Sequence, residues 1–223
     1  MMAPSAHSRD GGRRVAIMFA AVYAGLYFAL YALQFFLPQI VVAPLAWGGG
    51  ALAASAVAAC PYTVAGVAIL VWSLRCDRVG ARPAHIAGPA LAASVAAVCA
   101  AQVTDSRTLL LMWVSVALGG IFAAVPAFWS QCTAHLAGPR AALAVAGVNA
   151  TASLASFAGP YITGYLRDAS GSYQLALLAV GGSLALTAAG TLLLPAPSHD
   201  GRSQSAGPAR HAGEGRAPSA KGS

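Results

Sequence analysis

The stretch SLRCDRVGARPAH, residues 73–85, decides how the rest of this chain must be read. The 223 residues include only 13 Lys or Arg and 6 Asp or Glu, yet Arg75, Asp77, Arg78 and Arg82 all fall inside this one stretch. Long apolar runs flank it on both sides. An ionised side chain at the centre of a bilayer costs roughly 2.5–3.5 kcal/mol on insertion scales. The cluster therefore belongs in water or among headgroups, and it reads as a turn between two membrane spans.

The composition supports that reading. The chain is 58% hydrophobic and 9% charged, with a mean hydropathy of +0.67. A soluble domain carries about 25% charged residues, so there is too little polar material here to cover a water-facing surface. The net charge of +7 raises nucleic acid as a partner, but the basic residues are scattered between apolar runs and form no stripe. Cys60, Cys76, Cys99 and Cys132 show no CxxC and no His at metal-ligand spacing. No disulfide, metal or cofactor is expected.

Six apolar runs follow in order, at about residues 15–42, 51–74, 86–103, 109–132, 142–162 and 175–194. Each is long enough to cross ~30 Å of hydrocarbon, which takes about 20 residues. The first is too long for a signal-peptide core, and Pro38 should bend or end it. Residues 1–14 read as a solvated, basic tail, and 44–50 as a short Gly-rich turn. The charged turn covers 75–83, and further turns fall at 105–107, 135–141 and 166–172. From residue 195 onward the composition changes to Gly, Ser, Ala, Pro and charge, which cannot bury enough apolar surface to order itself. The expected architecture is all-α, a bundle of six transmembrane helices with a disordered tail at 195–223.

Orientation follows from the basic residues, since cytoplasmic loops carry the excess of Lys and Arg. With six spans, Arg9, Arg13, Arg14, Arg75, Arg78, Arg82, Arg140, Arg202, Arg210, Arg216 and Lys221 share one side. Only Arg107 and Arg167 lie on the other. Both termini are expected in the cytoplasm.

D-R-x-G-x-R after an apolar helix resembles the signature turn of the major facilitator superfamily, with Asp77, Arg78, Gly80 and Arg82 at the matching positions and Ser73 in place of its first Gly. Other blocks narrow the resemblance to the anion:cation symporter family, which includes tartrate, phthalate and sugar-acid permeases. LYALQFFLPQI at 30–40 is similar to that family's G-x-Y-G-x-x-F-W-L-P-Q-I, and CDRVGARPAH at 76–85 to its S-D-R-x-G-E-R-x-x-H. Phe128-Trp129 matches an F-W pair. VNATASLASFAGPYITGYLRDASG, at 148–171, keeps Asn149, Phe157, Gly159, Pro160, Tyr161, Gly164, Asp168 and Gly171 of a longer motif. Ala150, Ala152, Ser153, Ala155 and Ser156 depart from it but stay small. The match covers only the family's second six-helix half.

The resemblance implies one half of a secondary carrier in the inner membrane, moving small organic anions by symport, with a first six-helix half as partner. It implies substrate contacts at Asn149, Trp129 and a polar residue near Tyr23, a gate at Asp77, Arg78, Gly80 and Arg82, and a flexible point at Gly159-Pro160. The residues by themselves leave alternatives open. Tyr23, Tyr27 and Tyr31 recur every four residues, one face of a helix. That face can serve substrate or core. Asn149 can bind substrate or tie helices together, and Trp129 can belong to an interfacial belt. The charged turn can be a solvated loop that only sets topology. Gln34 and Gln131 are further polar candidates. No Asp, Glu, Lys, Arg or His lies in the middle of any run, so the cation an organic anion needs and the titratable group proton coupling needs would come from elsewhere. Ser130 and His135 stand at a helix end without a G-x-S-x-G context, which argues against an enzyme. A non-transporting membrane subunit is the remaining alternative.

Overall fold

The computed structural model describes residues 6–42, 50–80, 82–136 and 141–194. They form six helices: α1 (Ala6–Leu37, continued by one wide turn, Pro38–Val42), α2 (Gly50–Val79), α3 (Ala84–Gln102), α4 (Arg107–His135), α5 (Ala141–Ser170) and α6 (Gln174–Leu192). All six are long and apolar enough to cross a membrane. Pro61, Pro89, Pro126 and Pro160 lie inside helices that continue through them. Neighbouring helices make such sites tolerable in lipid.

The helices outrun the apolar runs at several ends. α1 begins at Ala6, so the expected tail at 1–14 is helical over most of its length. Arg13 and Arg14 project outward there. α2 continues past residue 74 to Val79, which puts Arg75, Asp77 and Arg78 on its last turns and shortens the charged turn itself. α5 likewise continues to Ser170, through most of the expected turn at 166–172. The physical reason is common to all three. A helix satisfies its own backbone hydrogen bonds and does not stop where the hydrocarbon does; it stops where a local signal ends it. Gly80 supplies one such signal, with φ +81° and its N–H donating to the Cys76 carbonyl at 2.8 Å, a left-handed helix cap. The tail at 195–223, Arg140 and most of the expected Gly-rich turn lie outside the described residues.

Helix contacts define two layers. α5, α1, α4 and α2 follow one another as a front row, and α6 and α3 pack behind them, α6 on α1 and α5, α3 on α4 and α6. Small residues allow close approach, the membrane substitute for hydrophobic collapse. A Cβ added at Gly120 on α4 would lie 2.6 Å from the Pro89 carbonyl oxygen of α3. One added at Gly159 on α5 would run into the Phe28 carbonyl of α1. Ser94 of α3 donates to the Gly181 carbonyl of α6 at 2.7 Å in a buried contact.

The back row is well covered; the ends of the front row are not. Only 11% of the α2 span and 11% of the α5 span is buried, against 56% for α3. Gly159 and Gly147, both on α5, then make opposite forecasts. A Cβ at Gly147 meets nothing, so Gly147→Ala should stabilise by up to about 1 kcal/mol through helix propensity. Gly159→Ala should instead cost about 1–3 kcal/mol through overpacking. Thermal unfolding in detergent reads both, and equal midpoints would remove the close-packing argument.

Candidate functional site

α1 and α4 meet in an aromatic cluster on the front row. Tyr23 is buried and stacks on Phe128 with ring centroids 4.5 Å apart. The Trp129 indole N–H donates to the Tyr23 hydroxyl at 3.0 Å, and that hydroxyl donates to Tyr27 at 2.6 Å. Indole can only donate, which sets the first step of the chain. Tyr23 accepts from Trp129 and commits its proton to Tyr27. The half-buried Tyr27 hydroxyl is left with its own proton to give outward. The cluster is a preset donor.

Sequence reasoning placed Tyr23 and Trp129 together, and the structure joins them directly. It offered Tyr23, Tyr27 and Tyr31 as one face by their four-residue spacing, with Gln34 beyond them, and left open whether that face serves substrate or core. Tyr31 is exposed, beyond Tyr27, with ring centroids 5.9 Å apart. Gln34 is half-buried one turn further along α1. Asn149 is exposed on α5 and donates to the Val145 carbonyl of its own helix at 3.1 Å; among the described residues no hydrogen bond joins it to the cluster. Gln131 is fully buried on α4, and neither amide atom finds a partner among the described residues. One turn on, His135 Nδ1 lies 2.9 Å from the Gln131 carbonyl oxygen.

The turn between α2 and α3 forms a second constellation. Asp77, Arg78 and Arg82 are exposed, and none of them takes part in an ion pair among the described residues. Arg75 lies over the Trp72 ring, 5.9 Å from its centroid. The Trp72 indole donates to the His85 carbonyl at 2.8 Å. Gly159 and Pro160 lie in an unbroken stretch of α5, with Gly159 against α1. No group of three or more His, Cys, Asp or Glu suited to a metal occurs among the described residues.

Six apolar helices in two layers, with an aromatic cluster where α1 meets α4, define a multi-pass membrane protein. Sequence comparison agrees. The profile of the Major Facilitator Superfamily matches residues 15–220, and the chain belongs to that superfamily. It is 34% identical over 178 residues to a protein of Agrobacterium vitis named "Putative tartrate transporter". A second protein of that name from the same organism is 34% identical over 188 residues. The inner membrane transport protein RhmT of Escherichia coli (strain K12) is 31% identical over 170 residues. These alignments take in 80%, 83% and 74% of this chain but 39%, 42% and 39% of the relatives. The chain thus spans about two fifths of the length of the curated relatives it matches.

Proposed function

We propose that this chain is the second half of a secondary carrier for small organic anions, carboxylates of the tartrate, phthalate or sugar-acid kind. The observation that carries the reading is the uncovered front row. α2 and α5 are the least buried spans and flank the α1–α4 cluster, so a first six-helix half packed there would close a site around Tyr27, Tyr31, Gln34, Trp129 and Asn149. Two relatives carry tartrate in their names, and the family resemblance adds phthalate and sugar acids. The preset Tyr27 donor and the spare amide donor of Asn149 suit carboxylate oxygens, which accept hydrogen bonds when ionised. Alternating access would then be the rocking of the two halves about that site, with Asp77, Arg78, Gly80 and Arg82 as the gate.

The test is uptake in vesicles that hold the chain together with a first-half polypeptide from a related carrier. Saturable uptake of labelled tartrate, phthalate or aldonate is expected. Tyr27→Phe, which removes only the donor, should weaken apparent affinity by about tenfold, the worth of one hydrogen bond to a charged group. No uptake of any of the three would reject the substrate class.

Orientation in the inner membrane has its own test. Reporter fusions after Arg14, Arg78 and Arg140 should report the cytoplasmic side, and fusions after Arg107 and Arg167 the opposite side. External activity at Arg78 would overturn the expected topology.

A further inference from the structure

We propose that His85 is the positioning residue of the turn between α2 and α3, holding it through a neutral imidazole that accepts the Arg82 backbone N–H. The turn's order then depends on the pH at that end of the bundle.

The charged side chains do not hold this turn, because Asp77, Arg78 and Arg82 all project into solvent. Neutral hydrogen bonds hold it instead. The Gly80 N–H closes α2 on the Cys76 carbonyl at 2.8 Å. The Arg82 N–H donates to His85 Nδ1 at 3.1 Å, while the His85 N–H donates to the Arg82 carbonyl at 2.8 Å. Two residues three apart thus clasp each other across Pro83 at the start of α3. The ring's part resembles the side-chain arm of a capping box, set one residue ahead of the N-cap Pro83, with imidazole in the place of the usual Glu or Gln. The His85 carbonyl is in turn held by the Trp72 indole of α2, and the residue is buried. Through one residue, its ring on the Arg82 N–H and its carbonyl on the Trp72 indole, the turn is fastened to both helices it connects.

Imidazole accepts at Nδ1 only while neutral; protonated, both ring nitrogens donate. A proton on Nδ1 would face the Arg82 N–H donor to donor, and the clasp would open. The charged groups around the ring are Arg75 and Asp77 on α2 and Arg82 on the turn. α4, which packs along α3, brings Cys132 and His135 to the same end, and α6 carries no ionisable residue between Gln174 and Leu192. None of the other groups offers an alternative acceptor already bonded to the Arg82 N–H. The functional weight of this clasp rests on the reading of the turn as a gate; its existence does not.

The test is amide exchange by NMR on the full chain in detergent, selectively 15N-labelled at Arg, with rates corrected for intrinsic exchange. Protection of the Arg82 amide should fall about tenfold between about pH 8 and pH 5 as the imidazole titrates. His85→Asn sets an amide oxygen where Nδ1 stood, and protection should become independent of pH. His85→Phe keeps the ring but removes the acceptor, and protection should be low throughout. The Trp72 indole resonance, labelled in parallel, reports folding; if the Phe variant misfolds, the Asn variant alone decides. A flat wild-type profile, or a falling profile in the Asn variant, would overturn the proposal. Transport by Asp77 variants tests the gate separately, so the two readings can fail independently.

Discussion

Vesicles holding the purified chain alone are expected to show no gradient-driven accumulation of labelled tartrate, phthalate or aldonate. The reason is electrostatic. A carboxylate drawn to the middle of a bilayer costs about 2.5–3.5 kcal/mol on insertion scales, which lowers occupancy by a factor on the order of 10². The cluster offers neutral donors, Tyr27 foremost, and these offset only part of that cost. No Lys or Arg lies in the middle of any of the six runs to offset the rest, and no Asp or Glu lies there to couple a proton. A homodimer would supply a second wall and still lack both charges. Supplying a first-half polypeptide should raise uptake from background by a factor on the order of 10². Accumulation by the chain alone, driven by an imposed pH gradient, would show the half-carrier reading to be wrong.

Asp77→Asn in the assembled carrier should cut uptake about tenfold while insertion and expression stay level. Asp77 sits in the last turns of α2, at the negative end of the helix dipole, where a carboxylate is disfavoured. Among the described residues no ion pair relieves it. A charge left exposed in an unfavourable position has reason to be there if a cation or helix N-terminus of the opposing half meets it in one conformation. Asn keeps the shape and removes the charge, and about tenfold corresponds to losing one charge-assisted hydrogen bond. Unchanged uptake at equal expression would return the segment to a solvated loop that only sets topology.

The six helices were legible because lipid imposes a simple rule on composition, and each apolar run obeys it. Their ends were not. Arg75 and Asp77 mark where the hydrocarbon stops, whereas Gly80 marks where the helix stops, and these are different physical events. The site was legible in part. Tyr23, Tyr27 and Tyr31 announced a face by their spacing, but the order of donors along Trp129, Tyr23 and Tyr27 depends on a contact between residues 106 apart in the chain. The same limit applies to His85. Its family-like position after Arg82 was visible, but its hydrogen bond to the Arg82 backbone was not.

The layering has a consequence for how the protein is made. Within these six helices α1 precedes α5 and α6 in the chain, yet its most extensive contacts are with α5, followed by α6. α2, α3 and α4 find partners among themselves much sooner. Until residue 141 and beyond have been inserted, α1 must wait in lipid with the flank that Gly159 will meet still open. Long-range contacts of this kind form late, and exposed intermediates are where membrane and soluble proteins alike are lost to aggregation and proteolysis. Assembly of these six helices should therefore wait on α5 and α6. A chain arrested after α4 would hold a paired α2–α4 and α3–α4 but an α1 without its main neighbour, and quality-control proteases would find α1 first.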